Sequence, residues 1–166
     1  VDRSTFPNKQ KKGDKMNELQ HAKFRACIPP AAILDDASAT SVEIDTLGAD
    51  YLTVVVTLGA TDIAMAALKL TQSDTAGSGH ADLSGADFNG GTDTKGGTLA
   101  LPSATDDNQV CVFQVNLLGR KRYFDIVATA GDGAAGSFIS ATAILSKNHA
   151  PTLTDTTYAD GGVCRV

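Results

Sequence analysis

Residues 110–130 read VCVFQVNLLGRKRYFDIVATA, and their periodicity decides the fold. Apolar side chains recur at every second position, as Val110 and Val112 or Cys111 and Phe113, then Val115 and Leu117. The second half repeats the pattern, with Phe124, Ile126 and Ala128 alternating against Tyr123, Asp125, Val127 and Thr129. A period of two places one set of side chains on the inner face of a sheet and the other on its outer face. Leu118, Gly119 and Arg120 separate the halves with turn chemistry.

Working outward, the same pattern predicts strands over residues 31–34, 40–45, 51–58, 64–72, 98–101, 110–117, 122–130 and 137–146. Residues 61–70 compete as a helix, with Ile63, Ala66, Ala67 and Leu70 on one stripe, but residues 64–72 alternate and are read as a strand. Turn formers lie at 46–50, 106–108, 118–120 and 131–136, a spacing that suits an antiparallel meander or Greek key with hairpins joining neighbours. The expected fold is therefore all-β: a single antiparallel β-sandwich, an eight-stranded jelly roll. A 166-residue chain is long enough for one such core, burying roughly two-thirds of its unfolded surface. With 5% aromatic residues and no Trp, that core is built from aliphatic and β-branched side chains.

The chain divides into a basic extended N-terminal arm at 1–28, a sandwich at 29–147 and a C-terminal tail at 148–166. Residues 1–28 hold seven basic and three acidic side chains, +4, and the remainder seven and sixteen, −9, within a total of −5. A basic arm on an acidic body points to an acidic partner surface. The expected contact residues are Arg3, Lys9, Lys11, Lys12, Lys15, Lys23 and Arg25, with Phe24 among them. Residues 73–97 form a long Gly-, Ser- and Asp-rich loop of functional length, pinned to the body by Leu83 and Phe88, which join the contact set. Met16 reads as a candidate alternative translation start, because the residues that follow it resemble the opening of a compact protein.

Several chemistries are disfavoured. Gly131 to Gly136 spell a literal G-x-G-x-x-G, but the alternating segment that follows is a strand, so the motif reads as a hairpin loop with no helix N-terminus to receive a pyrophosphate. His21, His80 and His149 fall in the arm, the long loop and the tail, poor platforms for a triad, and share no metal-ligand spacing. Asp87, Asp93, Asp106 and Asp107 form no calcium loop and read as turn residues bonding their own backbone. The lack of Trp leaves no aromatic platform for sugars. The basic cluster Arg120, Lys121 and Arg122 stands alone on an acidic body, which argues for a structural role over nucleic-acid binding. Cys27, Cys111 and Cys164 are scattered and odd in number, so buried thiols in a reducing cytoplasm are expected rather than a disulfide framework or zinc site. No apolar run approaches the ~18–20 residues of a membrane span. No enzyme activity, cofactor, metal, nucleic acid or membrane is expected.

Three further features carry a resemblance: the turn Ile44-Asp45-Thr46-Leu47-Gly48-Ala49-Asp50-Tyr51, the strand ending in Gln72-Ser73-Asp74, and the Gly119-Arg120-Lys121-Arg122-Tyr123 segment leading into the penultimate strand. Over residues 16–147 the chain resembles small jelly-roll-like head decoration or cement proteins of tailed bacteriophages and prophages. The resemblance implies a virion protein on the exterior of an icosahedral capsid, binding the major capsid protein and neighbouring copies of itself, commonly as a homotrimer. A tail, fibre or adaptor subunit, or a β-sandwich whose 73–97 loop binds a host glycan or receptor, are the alternatives.

Overall fold

The computed structural model describes Leu19 and residues 21–147. Its regular structure there is eight strands: β1 Lys23–Ile28, β2 Ile44–Asp45, β3 Tyr51–Leu58, β4 Ala67–Ser73, β5 Ala81–Asp87, β6 Val110–Asn116, β7 Tyr123–Thr129 and β8 Ile139–Ser146. They form two four-stranded sheets, ordered β1-β8-β3-β6 and β2-β7-β4-β5. Every neighbouring pair is antiparallel. First and last strands adjacent in one sheet, second and seventh in the other, is the double Greek key of a jelly roll.

The alternation drives the layering. β3 buries Leu52, Val54, Val56 and Leu58, β7 buries Phe124, Ile126 and Ala128, and β8 buries Ile139, Ala141, Ala143 and Leu145. With Leu68 and Leu70 of β4 and Phe113 of β6, these side chains join one core cluster between the sheets. The competition between helix and strand over residues 61–70 resolves to strand only from Ala67, where Leu68 and Leu70 reach the core at a spacing of two, and residues 61–66 form neither.

Several expectations need correction. Residues 31–34 and 98–101 are not strands. The first reduces to a bridge between Leu34 and Ser137, and the second to one between Thr92 and Thr98. Pro29 and Pro30 withhold ladder donors from the first, and Gly96, Gly97 and Pro102 confine the second. The expected 40–45 strand shrinks to β2, which ends where the Asp45 carboxylate accepts the Leu47 N–H at 3.0 Å. Two strands take their place. β1 falls in the assigned arm, so the sandwich begins near the buried Ala22 rather than at residue 29. β5 falls in the assigned 73–97 loop. Connections mostly cross between sheets rather than joining neighbours as hairpins, and only β4 to β5 stays within one sheet. The 131–136 and 118–120 turns are therefore inter-sheet crossings.

Candidate partner-binding surface

The two outer faces differ in kind. On the β1-β8-β3-β6 sheet the ladder places Phe24 beside Ile144, Thr53 and Gln114, and Ala26 beside Thr142, Val55 and Val112. Above and below these rows lie Ser146, Tyr51 and Asn116, and Ser140, Thr57 and Val110. No Asp, Glu, Lys or Arg stands among them. Tyr51, Val110 and Val112 are 38%, 57% and 43% exposed, far above the inward residues of the same strands. The Lys147 ammonium lies at one corner, 4.9 Å from the centre of the Tyr51 ring. Such a face can be covered without stripping water from an ion.

The opposite outer face is charged and internally bonded. Lys69 pairs with Asp82 at 2.8 Å, and Arg122 clamps Asp45 through two bonds of 2.8 and 2.7 Å. The guanidinium also lies over the Tyr123 ring, 4.9 Å from its centre. These contacts join two of the segments quoted above, for the Thr46 hydroxyl donates to the Arg122 carbonyl at 2.7 Å. The 44–51 turn and the Gly119 to Tyr123 segment are thus one structural unit. Arg122, with help from the Leu47 N–H, holds the Asp45 carboxyl below its ordinary range despite partial burial. Lys121 has Asp74 at 3.6 Å, so both cations have partners on this chain.

Of the expected contact residues, Arg3, Lys9, Lys11, Lys12 and Lys15 lie outside the described residues. Lys23 and Arg25 belong to β1, not to an arm. They share the register of the inward-facing Leu145 and Ala143 and line, with Glu43 and Asp45, a groove of about 330 Å³ at the β1–β2 side of the sandwich. Burial and neighbouring Arg25 lower the Lys23 pKa, partly offset by Asp45. Phe24 points the other way, onto the uncharged face. Leu83 is buried at 4% exposure, so it anchors β5 instead of offering a contact. Phe88 packs edge-to-face on Phe113, with centroids 5.1 Å apart and planes at 83°. The pair floors a cleft of about 420 Å³ between the β5 and β6 edges.

The glycine motif is filled from within. Asp62 accepts the N–H groups of Ala134 and Ala135, the latter at 2.7 Å, and Asp35 accepts that of Gly133 at 3.0 Å. The amides of Ala135 and Ala134 lower the Asp62 pKa. The chain then runs into β8, so the motif marks a loop whose exposed amides are taken by carboxylates from two other segments of the chain.

Contacts that sequence spacing did not reveal form around His80. Its Nε2 is 2.8 Å from Glu43 Oε2, and its Nδ1 is 3.5 Å from Thr71 Oγ1. The order acid, imidazole, hydroxyl matches that of a nucleophile triad. Thr71, however, is buried at 6% exposure and also lies within 3.4 Å of the Asp125 carbonyl. Glu43 in turn accepts the Gly77 N–H at 2.7 Å. The group is a strut that ties the β4–β5 hairpin to the approach of β2.

Asp87, Asp93 and Asp106 cap turns as expected, taking the N–H groups of Asn89, of Lys95 and Gly97, and of Ser103, whereas Asp107 departs from that expectation and accepts the distant Thr61 N–H. No three His, Cys, Asp or Glu residues converge to hold a metal ion among the described residues. Cys27 and Cys111 are buried free thiols. Burial pushes Cys27 up to about 11 and raises Cys111. Cys164 and His149 lie outside the described residues. No protein-family model matches the chain, and no curated protein or solved structure matches it either.

Proposed function

We propose that this protein is a virion structural protein that binds the outer surface of an icosahedral capsid and stabilises it, in the manner of a decoration or cement protein. The observation that carries the reading is the asymmetry of the two sheets: among the described residues, the strands of one outer face present no ionic side chain, with Lys147 only at its corner, and the other face is occupied by ion pairs. The uncharged face is the docking side. β-Branched side chains on a rigid sheet lose little rotamer freedom when covered. The basic side chains before β1 add electrostatic attraction toward acidic shell surface, and repetition over a symmetric lattice turns modest contacts into avidity. The resemblance of residues 16–147 to phage head decoration proteins supports the same reading, including association of neighbouring copies as a trimer.

The test is co-sedimentation of the purified protein with capsids that lack it, followed by image reconstruction of the particle. Saturable occupancy of the shell exterior is expected. Absence from the sediment, or density confined to the tail, overturns the proposal.

A further inference from the structure

We infer that the open edge of β6 is a strand-binding site, and that its occupant is the basic segment around Phe6 of the same chain. The inference does not depend on the capsid reading. In the ladder with β3, the Leu58 N–H bonds the Gln109 carbonyl and the Leu117 N–H bonds that of Asp50. By the antiparallel alternation, Cys111, Phe113 and Val115 bond toward β3, and Val112 and Gln114 aim their N–H and C=O groups at the open edge. Those groups have no partner among the described residues.

Unprotected edges invite pairing, and proteins blunt them with charge, bulges or short length. The other three edge strands are blunted. β1 turns Lys23 and Arg25 inward and shifts register between Ala26 and Ile28. The β4–β5 ladder shifts register and carries Asp82 and Asp87, and β2 has 2 residues. β6 runs 7 residues in unbroken register with no charged side chain. Beside it opens the cleft of about 420 Å³, apolar at Phe88, Phe113 and Leu99 and acidic at Asp87 and Asp93. An occupant therefore needs an extended backbone, one bulky apolar side chain and flanking cations.

The chain before β1 carries that combination in Phe6, set between Arg3 and Lys9. A second copy of β6 fits less well, because pairing edge to edge brings two acidic clefts together. The path within one chain is short. Lys23 and Asn116 lie at the same end of the sheet, on its two edge strands, three strand spacings or about 14 Å apart. Twelve residues, the number from Gln10 to His21, have a root-mean-square reach of about 19 Å by chain statistics. Linker length and span are matched, which favours the segment of the same molecule over that of another.

Amide hydrogen exchange on the full chain tests this. Val112 and Gln114 amides are expected to be protected, and Phe6→Ala to speed their exchange by about tenfold or more without changing Phe113 and Val115. Asp87→Asn with Asp93→Asn keeps turn-capping oxygens, removes the charge, and is expected to reduce the protection at low salt. Free exchange at Val112 and Gln114 in the unaltered protein overturns the inference, as does protection unchanged by either variant. Protection that grows with protein concentration overturns it by placing another copy on the edge.

Discussion

Replacing Thr142 by aspartate separates docking from folding. Thr142 is exposed at the middle of the uncharged face, between Ala26 and Val55 across the sheet and between Ser140 and Ile144 along β8. Its side chain points away from the core, so the cost to stability is that of β-propensity, at most about 1 kcal/mol. That corresponds to a Tm shift of roughly 2–4 °C or less for a chain of this length. In a complex that covers this face, the carboxylate has no cation among those neighbours to pair with. An ion left buried and unpaired costs about 3–5 kcal/mol, a loss of roughly 150- to 4000-fold in affinity per site. Val127→Asp is the matched control, since it places the same group beside Lys69 on the charged face. The assay is capsid occupancy against protein concentration, with thermal melts of all three proteins. Thr142→Asp binding within threefold of the unaltered protein, or equal losses in both variants, would refute the assignment of the docking face.

Three more outcomes follow from the geometry. Gly136 has φ +66°, and a side chain there meets the Leu34 carbonyl, so Gly136→Ala is expected to destabilise the fold by about 1–3 kcal/mol in urea titration. The Asp45 carboxyl is depressed by Arg122, so its stabilising contribution is full above the unfolded carboxylate value near pH 4 and is lost as pH falls through the lower folded value. Arg122→Gln should therefore shrink the acid-side fall in Tm between about pH 4 and 2; an unchanged acid limb counts against the clamp. Cys27, raised to about 11 by burial, should resist a thiol reagent at pH 8 in the native protein and react on unfolding, as followed by mass spectrometry.

Where one face of a strand is buried along its whole length and the other is open, the pattern is legible in the sequence. β3, β6, β7 and β8 announce themselves because Leu52 to Leu58, Cys111 to Val115 and Phe124 to Ala128 enter the core at every second position. β1 and β5 do not. In β1, Lys23 and Arg25 occupy inward register positions at an open sheet side, so the alternation is masked by guard charges. In β5, Leu83 is the one fully buried residue, and Gly85 and Ser84 resemble loop chemistry. Phe24 lies within a strand rather than an arm, on the uncharged face. The charge asymmetry between faces is invisible until register assigns each residue a side. The clamp of Asp45 by Arg122 and the strut through His80 join residues distant in the chain, which spacing alone cannot bring together.

The adjacency of β1 and β8 also bears on how the protein is made. Lys23 pairs with Leu145, so the first strand of the sandwich has no ladder until the last has left the ribosome. β3 waits likewise for β6 and β8 on its two sides. Folding cannot proceed strand by strand behind synthesis. Only the β4–β5 hairpin pairs consecutive strands among the described residues, so the remaining ladders close by non-local contacts, a high-contact-order step that is intrinsically slow. Until then the apolar strands β3 and β6 stay exposed on the nascent chain, so low temperature and slow expression should raise the yield of native protein.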